Sequence, residues 1–548
     1  MNRNLLNHKT VSHFVCWEWA QIAVAFALLA VTVMTGLPMK LKLVSVLLSM
    51  LVLLVRRNNQ AAYTQTEHFG VCLAVAIGVI SICSKSSFLY PLNDWVDANC
   101  FFTVGKSMMN GVVPYRDLLE QKGPFLYFIH GLAWLISNDT FIGVYLFEVL
   151  AAAFFLYYTH RSIRLFVKSS WTVFLIPLYA AAIYTCDGFR HGDSVEELML
   201  PFLAYAMWLG MDAICNKREI TCREYFVIGL TSGLIFWSKF TLVGFYVGWY
   251  LFPMANYIRR GNWKLFLHSI GYILLGIAAA TLPFVIYFGI HGAISDWLGV
   301  YLYDNLFVYS KAAEQQSTLK ELLDKIRYGI SETKRRNPII PICGMISLLY
   351  FGGRKPMVGL YYLVTGAFAV LFAFVGGVYY PYYSFLFNLY LPFGLIPLLV
   401  FVLALKDREP EMQPNRILLV ALTGIMLIAC MKGTSNRYLL GTPKEELPQY
   451  QFASLIGTDG SATLLNYGFL DGGFYTASNT VPNCKVFCHL NISPKVLLAM
   501  QNEYIAQGAV DYIVTRGIEI TDEKYEYLSF CDYYYEEEWY RYFLYKRV

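Results

Sequence analysis

The sequence predicts a polytopic α-helical membrane protein with a small α/β domain at its C-terminal end. Of its 548 residues, 57% are hydrophobic and only 15% are charged, and the mean hydropathy of +0.45 lies outside the range of soluble proteins. Apolar runs long enough to cross a bilayer recur along most of the chain. From residue 432 onward the apolar runs become short, alternate in character and are separated by glycine, as in a small mixed domain.

About thirteen segments have the apolar character of spanning helices, which need roughly 20 residues each. They are predicted at 16–36, 41–55, 70–90, 142–160, 171–186, 197–214, 225–238, 240–257, 265–290, 338–351, 357–376, 383–404 and 416–431. The first of them lacks a small-residue cleavage site, so we interpret it as a retained span and not as a signal peptide.

Basic residues fix the predicted orientation, because cytoplasmic loops are enriched in lysine and arginine. With the N-terminus in the cytoplasm, the basic loops fall on the cytoplasmic side, with Lys40 and Lys42 as the exception; these loops hold Arg56, Arg57 and the segments 160–164, 216–219, 259–264, 353–355 and 406–409. This orientation requires 122–137 to be a helix lying at the outer interface, because a span there would reverse the following loops.

The predicted topology places three loops together on the extracytoplasmic face, at 91–141, 187–196 and 291–337. The third contains an amphipathic helix, in which Leu319, Leu322, Leu323, Ile326 and Ile330 recur at helical intervals. We therefore predict a transmembrane catalytic domain at 1–431 and an extracytoplasmic α/β domain at 432–548, in a multi-pass protein of the plasma (inner) membrane.

Composition also limits the partners and cofactors. The net charge of +5 is spread over loops and forms no basic patch, so nucleic acid is not an expected partner. The twelve cysteines have no zinc-site spacing, and His489 beside Cys484 and Cys488 does not complete four ligands. Whether Cys484, Cys488 or Cys531 form a disulfide is left open by the sequence.

Charged residues gather at the outer ends of the predicted spans. Asp97 begins a helical stretch soon after an apolar run, where it could cap the helix or could act as a base toward a hydroxyl group. Asp193 or Ser194 could cap the helix that starts in the second loop. The neighbouring Arg190 and His191 suit a phosphate group. Lys239 interrupts two apolar runs on the outward side, and snorkelling to the headgroups is its alternative role.

Four stretches resemble bacterial membrane glycosyltransferases of the GT-C superfamily, the relatives of the lipid A aminoarabinose transferase and the protein O-mannosyltransferases. The first outer loop reads "DANCFFTVGKSMMNGVVPYRD" and then "EQKGPFLYF", similar to the family's Asp before a helix, "GxxPYxD" and "KGP". The stretch "GDSVEELMLPF" resembles the family's "GNxxEE" loop. The stretch "LLNYGFLDGGFY" is similar to the start of the outer domain in bacterial members.

This resemblance implies a GT-C fold and an enzyme that transfers sugar from a polyprenyl-phosphate donor. It implies Asp97 as the catalytic base. The other implied or suggested substrate-binding residues are Asp94, Arg116, Asp117, Lys122, Arg190, His191, Glu196, Glu197, Lys239, Tyr379 and Tyr382. The turn "GGVYYPYY" has Val378 and Tyr382 where many relatives have Arg and His, which leaves stacking on a sugar or lipid head as its predicted role.

The predicted function is therefore inverting transfer of a sugar to a hydroxyl acceptor of the cell envelope, on a glycan, a lipid or a protein. No cofactor is expected, and a divalent metal stays open. A transporter or flippase of lipid-linked sugars is the alternative, although its typical charged or broken mid-membrane helices and internal repeat are not evident in the sequence. A non-catalytic scaffold is the second alternative. Replacing Asp97 by Asn distinguishes them.

Overall fold

The computed structural model describes residues 4–55, 63–308, 319–405, 416–535 and 538–548. The predicted basic positions Arg56, Arg57 and 406–409 lie outside these ranges. The α-helices are α1 Asn4–Met34, α2 Met39–Leu54, α3 Gln65–Cys83, α4 Val96–Met109, α5 Pro124–Ile136, α6 Ile142–Ile163, α7 Leu175–Tyr184, α8 Val195–Cys215, α9 Cys222–Phe236, α10 Gly244–Arg259, α11 Trp263–Ile290, α12 Ile294–Leu298, α13 Leu319–Arg336, α14 Ile339–Arg354, α15 Pro356–Phe374, α16 Ile396–Leu405, α17 Arg416–Gly433, α18 Pro448–Ile456, α19 Phe474–Ala477 and α20 Pro494–Gln507.

Several of these helices are long and apolar enough to cross a membrane. Seven described helices qualify by length and composition, and the bent pair Pro381–Leu389 and Leu391–Ala404, with an angle of 53° between its halves, makes up to eight. All thirteen predicted segments are helical, but several, such as α2 and α9, have only 16 and 15 residues. The chain is therefore a multi-pass membrane protein, and the count of thirteen spans stays a prediction.

The ends of the helices follow from local hydrogen bonds. Helix α3 begins at a capping box in which the Thr64 hydroxyl accepts from the Glu67 N–H and the Glu67 carboxylate accepts from the Thr64 N–H. The predicted span over 70–90 was too long, because α3 ends at Cys83. The Ser84 and Ser87 side chains then bond to nearby main-chain groups and hold a turn in place of further helix.

The segments predicted to lie beside the membrane are also helical. Helix α5, at 13 residues, is shorter than the predicted 122–137 helix and too short for a simple span. In α13 the apolar Leu319, Leu323 and Ile330 are exposed, as expected for a helix that meets lipid. Contact of either helix with a membrane surface stays a prediction.

The C-terminal part forms a four-stranded mixed sheet with strand order β1-β2-β4-β3, where β1 is Leu464–Tyr467, β2 is Tyr512–Arg516, β3 is Tyr525–Tyr535 and β4 is Glu538–Arg547. Strands β1 and β2 are parallel and are connected through α20, whereas β4 is antiparallel to both of its neighbours. The sheet and helix α20 confirm the small α/β unit that was predicted in this part of the chain. Strand β3 was not predicted, and none of the described cysteines forms a disulfide.

The sheet packs on helix α4, which lies in the predicted first outer loop and contains Asp97. The Thr103 hydroxyl donates to the Asp471 carboxylate at 2.6 Å, and the Lys106 ammonium donates to the Tyr475 carbonyl at 2.8 Å. The thiols of Cys100 and Cys488 lie 3.7 Å apart in the same interface. Helix α4 is therefore held between the helical part of the molecule and the sheet.

Candidate functional site

Asp97 lies in the first turn of helix α4. Trp95 is the residue at the N-cap and makes no side-chain capping bond, so the prediction that Asp97 could cap this helix was wrong. The first turn nevertheless suits a carboxylate, because unpaired N–H groups and the helix dipole favour negative charge there. The Asp97 side chain is partly exposed and accepts a long hydrogen bond, of 3.4 Å, from the Tyr382 hydroxyl.

Two main-chain hydrogen bonds, which we refer to as the main-chain seam, bring Lys122 and Lys239 close together. The Gly123 N–H donates to the Ser238 carbonyl and the Phe125 N–H donates to the Trp237 carbonyl, both at 3.0 Å. Lys122 directly precedes this seam on one side and Lys239 directly follows it on the other. A Cβ atom at position 123 would lie 2.0 Å from the Trp237 carbonyl oxygen, which explains why glycine follows the lysine in the "KGP" motif.

Lys239 is held between a carboxylate and two aromatic rings. Its ammonium nitrogen lies 2.5 Å from Glu196 Oε1 and 4.0 Å from the centroid of the Tyr383 ring, with the Tyr382 ring at 5.0 Å. Burial and the nearby Lys122 lower the pKa of Lys239, while Glu196 and Asp97 oppose that shift. The second oxygen of Glu196 is buried and has no hydrogen-bond donor among the described residues.

Lys122 is half-buried and lies over the ring of Phe101, whose centroid is 5.5 Å from its ammonium nitrogen. Burial opposes its charged form, but the carboxylates of Glu120, Asp97 and Glu196 raise the pKa of Lys122 above its ordinary value. Glu120 is itself buried and accepts from the Lys122 N–H and the Tyr127 hydroxyl. Lys122 therefore stays cationic near Asp97.

Aromatic side chains form one wall beside Asp97. The rings of Trp95 and His191 are stacked, with centroids 5.0 Å apart, and Tyr382 meets Trp95 edge-on at 5.3 Å. Tyr380 stacks on Tyr382 at 5.6 Å. Burial, together with Lys85 and Arg190, lowers the pKa of His191 well below its ordinary value. At neutral pH His191 therefore contributes a ring surface and not a charge.

We refer to Asp97, Lys122, Glu196, Lys239, Tyr382 and Tyr383 as the Asp97 cluster. It combines two carboxylates, of which Asp97 is partly exposed and Glu196 is buried, with two cations and two phenol rings. Such a set can accept a proton at one point and hold an anion at another, while the rings offer flat surfaces to a sugar or an alkyl chain.

Asp94 lies outside this cluster, although it is only three residues from Asp97. Its carboxylate is paired with Lys85 and accepts from the Tyr438 hydroxyl at 2.6 Å and from the Tyr533 hydroxyl at 2.9 Å. The Asp94 and Lys85 side chains are both 1% exposed. Asp94 therefore ties the first outer loop to strand β3 of the sheet.

Glu197 is also separated from the cluster and lies in a buried acidic group with Asp193 and Glu148. The cap of helix α8 is Ser194, one of the two predicted caps, and its hydroxyl accepts from the Glu197 N–H. Asp193 instead accepts from His130 Nε2 at 3.0 Å, and its own N–H donates to Glu148. The neighbouring residues 196 and 197 thus face different surroundings.

The remaining predicted site residues make their described contacts elsewhere. Arg116 forms a two-point ion pair with Asp117, at 2.7 and 2.8 Å, and donates to the His291 carbonyl. Both side chains are more than one third exposed. Tyr379 stacks on Phe374 at 6.1 Å, and Arg190 is partly exposed beside His191. The contacts of Arg116, Asp117 and Tyr379 lie outside the Asp97 cluster.

Three residues of this region were not predicted to have a role in the site. The ring of Tyr383 lies nearer to the Lys239 ammonium than the ring of Tyr382 does, Trp95 forms part of the wall beside Asp97, and Glu120 supports Lys122. The position of Trp95 two residues before Asp97 was a usable signal, because an aromatic residue next to an exposed acid often forms part of a binding surface.

Two solved structures share this architecture. The crystal structure of ArnT from Cupriavidus metallidurans bound to undecaprenyl phosphate matches with a TM-score of 0.53 and 10% sequence identity, covering 88% of this chain and 97% of that chain. The apo structure of the same protein matches with a TM-score of 0.51 and 10% identity, over 82% and 91% of the two chains. No family model and no curated protein matches the sequence.

ArnT is a lipid A aminoarabinose transferase of the GT-C superfamily, so the resemblance seen in the sequence is confirmed at the level of the fold. The match extends over most of the chain and includes more than the four motif stretches. At 10% identity it shows the fold alone. The chemistry has to be argued from the Asp97 cluster.

Among the described residues, no group of three or more His, Cys, Asp and Glu side chains is arranged to hold a metal ion. The charged groups of the Asp97 cluster are the carboxylates of Asp97 and Glu196 and the ammonium groups of Lys122 and Lys239.

Proposed function

We propose that this protein is a glycosyltransferase that moves a sugar from a polyprenyl-phosphate donor to a hydroxyl acceptor of the cell envelope. The observation that carries the proposal is the juxtaposition of Asp97 with Lys122 and Lys239, two cations fixed beside each other by the 123–125 and 237–238 seam. The shared fold supports the donor class, because the ArnT structure contains undecaprenyl phosphate.

The proposed reaction uses each charge once. Asp97 accepts the proton of the acceptor hydroxyl as its oxygen attacks the anomeric carbon of the donor sugar. The bond from that carbon to the phosphate oxygen breaks on the opposite face, which inverts the configuration. Lys122 and Lys239 stabilise the negative charge that develops on the departing polyprenyl phosphate. Tyr382 and Tyr383 offer ring surfaces to the sugar or to the first part of the lipid chain.

Glu196 has a supporting part in this proposal. Its ion pair with Lys239 keeps the ammonium group in place before the donor arrives. Its second oxygen, which has no donor among the described residues, is available to a hydroxyl group of the sugar. Arg190 and Arg116 stay proposals as peripheral phosphate contacts, and Asp94, Asp117, Glu197, His191 and Tyr379 are assigned to supporting the surrounding structure.

A lipid-linked donor also accounts for the place of the charges in the sequence. A phosphate on a long apolar chain stays at the membrane surface, so the groups that bind it belong at the ends of spanning helices. We place the reaction on the extracytoplasmic face of the plasma membrane, with the N-terminus in the cytoplasm and the domain from residue 432 outside. The acceptor is carried by a glycan, a lipid or a protein.

The experiment is a transfer assay with purified protein in bilayer discs, a polyprenyl-phosphate sugar and cell-envelope acceptor. We expect Asp97→Asn to lower the transfer rate at least about 100-fold, because general-base catalysis contributes that much or more. The matched control is Asp139→Asn, which makes the same charge change in the same loop at a side chain that is 56% exposed.

The control should retain wild-type transfer, and both variants should show the wild-type thermal midpoint. An Asp97→Asn variant with full transfer activity contradicts the proposed base. A wild-type protein that moves labelled donor across a vesicle membrane, without forming a glycosylated product, supports a flippase and contradicts the proposed reaction.

A further inference from the structure

Strands β3 and β4 present side chains on both surfaces of the C-terminal sheet. Because side chains alternate along a strand, Tyr533 and Tyr542 point toward the rest of the molecule, where Tyr533 bonds to Asp94 and Tyr542 is 4% exposed. On the opposite surface Phe530, Tyr534 and Trp539 are 50%, 45% and 73% exposed. We refer to this outer surface, with Phe543 and the pair Asp532 and Arg541, as the aromatic face.

The polar groups of the aromatic face are held in fixed positions. Asp532 and Arg541 are cross-strand partners, and the Nε and Nη2 atoms of Arg541 donate to the two Asp532 oxygens at 2.7 and 2.8 Å. The guanidinium also lies over the Phe530 ring, 4.6 Å from its centroid. Tyr534 and Trp539 are cross-strand partners too, with ring centroids 5.5 Å apart.

A shallow groove of about 490 Å³ lies along strand β4 at the side of this surface, and it is lined by Gly517, Glu519, Asp532, Trp539, Tyr540, Arg541 and Phe543. The groove therefore combines flat rings with a carboxylate and guanidinium that are already oriented. Rings that face solvent pack against the C–H faces of pyranose sugars, and the polar groups bond to the hydroxyls at the ring edges.

The charges of the aromatic face favour an uncharged partner. Arg541 is balanced by Asp532, and Glu519 adds a negative charge at the edge of the groove. A surface that binds anionic lipid headgroups carries an excess of lysine and arginine, which the described part of this groove does not have.

The aromatic face is connected to the Asp97 cluster through one strand. Asp532 and Tyr534 lie on it, and the residue between them, Tyr533, donates to Asp94 on the loop that leads to Asp97. The same strand that presents the groove therefore also supports the loop of the proposed base.

We propose that the aromatic face is a binding site for a neutral polymeric glycan and that this glycan carries the acceptor hydroxyl. The acceptor role rests on the proposed function, whereas the glycan site itself is argued from the groove. The rings of Trp539 and Tyr534 stack on successive sugar units, and Arg541 and Asp532 bond to their hydroxyls. The site makes a chain of sugars the acceptor class in preference to a free alcohol or a small lipid.

The test measures binding of maltohexaose, mannohexaose and chitohexaose to the full chain in bilayer discs, by saturation-transfer NMR and by competition between the three. We expect at least one of them to bind, and Trp539→Ala to weaken that binding about tenfold through loss of stacking. Arg541→Lys keeps the charge but breaks the two-point pair, and should weaken binding severalfold. The control Trp263→Ala removes a ring of 58% exposure on helix α11 and should change nothing.

Absence of binding by all three oligosaccharides, or binding that Trp539→Ala leaves unchanged, overturns the inference. A membrane role is tested with brominated lipids: quenching of the Trp539 fluorescence, measured against Trp539→Phe, also overturns it. The same binding measured on Asp97→Asn separates the two proposals. If Asp97→Asn binds glycan but no longer transfers sugar, both proposals are supported. If Asp97→Asn binds glycan and still transfers sugar, only the catalytic proposal is rejected. If the wild-type protein transfers sugar normally but binds no glycan, only the glycan site is rejected.

Discussion

Asp94 and Asp97 are three residues apart in the same outer loop, and their surroundings differ in every respect that a binding site requires. Asp94 is paired with Lys85, accepts from two tyrosine hydroxyls and has 1% of its side chain exposed. Asp97 is partly exposed and accepts one hydrogen bond of 3.4 Å. The first carboxylate has its partners within the protein, and the second has capacity left for a ligand.

The same contrast holds for the cations. Lys85 is fully buried in its ion pair with Asp94. Lys239 is instead paired with Glu196, whose second carboxylate oxygen has no hydrogen-bond donor in the described structure. A charged group whose hydrogen bonds are complete stabilises a fold, and one whose hydrogen bonds are incomplete costs free energy until a ligand completes them. This difference separates a structural centre from a candidate reaction centre.

The largest expected effect comes from removing one cation of the Asp97 cluster. We expect Lys239→Met to lower kcat/KM for the lipid-linked donor by about 10² to 10³, the usual effect of losing one group that stabilises a developing oxyanion. The double variant Lys239→Met with Glu196→Gln should recover thermal stability but not transfer, because it removes the uncompensated carboxylate and leaves the phosphate unbound. Lys444→Met, at a lysine that is 41% exposed, is the control for steady-state kinetics.

The next effect concerns the structural centre. Asp94→Asn should lower the free energy of unfolding by about 3 kcal/mol, because Lys85 is left as an unpaired buried charge. Transfer activity per folded molecule should stay within a few-fold of wild type. Thermal midpoints of Asp94→Asn and Asp97→Asn in the same detergent, with Asp139→Asn as the reference, measure the difference in stability. A stable Asp94→Asn protein with abolished transfer would reverse the roles that we assign to the two carboxylates.

Much of the helical part could be predicted because hydrophobicity is a local property. Each predicted apolar segment is helical, and the short α5 and the amphipathic α13 were expected from their lengths and patterns. The number of spans was less predictable, since an apolar run does not show where a helix breaks. Helix α3 ends at Cys83, inside the predicted 70–90 span, because serine side chains bond to the main chain there.

The charged residues of the cluster could be predicted from sequence, but their partners could not. Asp94 receives its hydrogen bonds from Tyr438 and Tyr533, which are 344 and 439 residues away in the chain. No local pattern indicates such pairings. For the same reason the sequence predicted that Asp94 binds substrate beside the catalytic Asp97, and only its long-range contacts show that Asp94 has a structural role.

A smaller effect is expected at Tyr382. The variant Tyr382→Phe keeps the ring and loses one weak hydrogen bond to Asp97, so kcat should fall by roughly two- to tenfold, the value of a single hydrogen bond. The donor KM should be nearly unchanged, because the stacking surface is retained. A loss as large as that of Asp97→Asn would make the tyrosine hydroxyl, and not only its ring, essential to the reaction.

A last test concerns a third buried lysine, which lies in the interface between α4 and the sheet. Burial lowers the pKa of Lys106 to about 7, from 10.5, and Asp471 opposes the shift. Between these two pH values the unfolded chain binds more protons than the folded one, so stability should rise with pH by up to about 1 kcal/mol per unit. Thermal midpoints from pH 7 to 10 check this, and Lys106→Met should flatten the dependence.

The seam between residues 123–125 and 237–238 has a consequence for how such a protein can diverge. Its two bonds join only peptide groups, so they do not depend on which side chains stand at 125, 237 and 238. At Gly123 the restriction is on the side chain itself, because a methyl group has no room there. A lineage can thus retain an arrangement of charges long after most of its residues have been replaced.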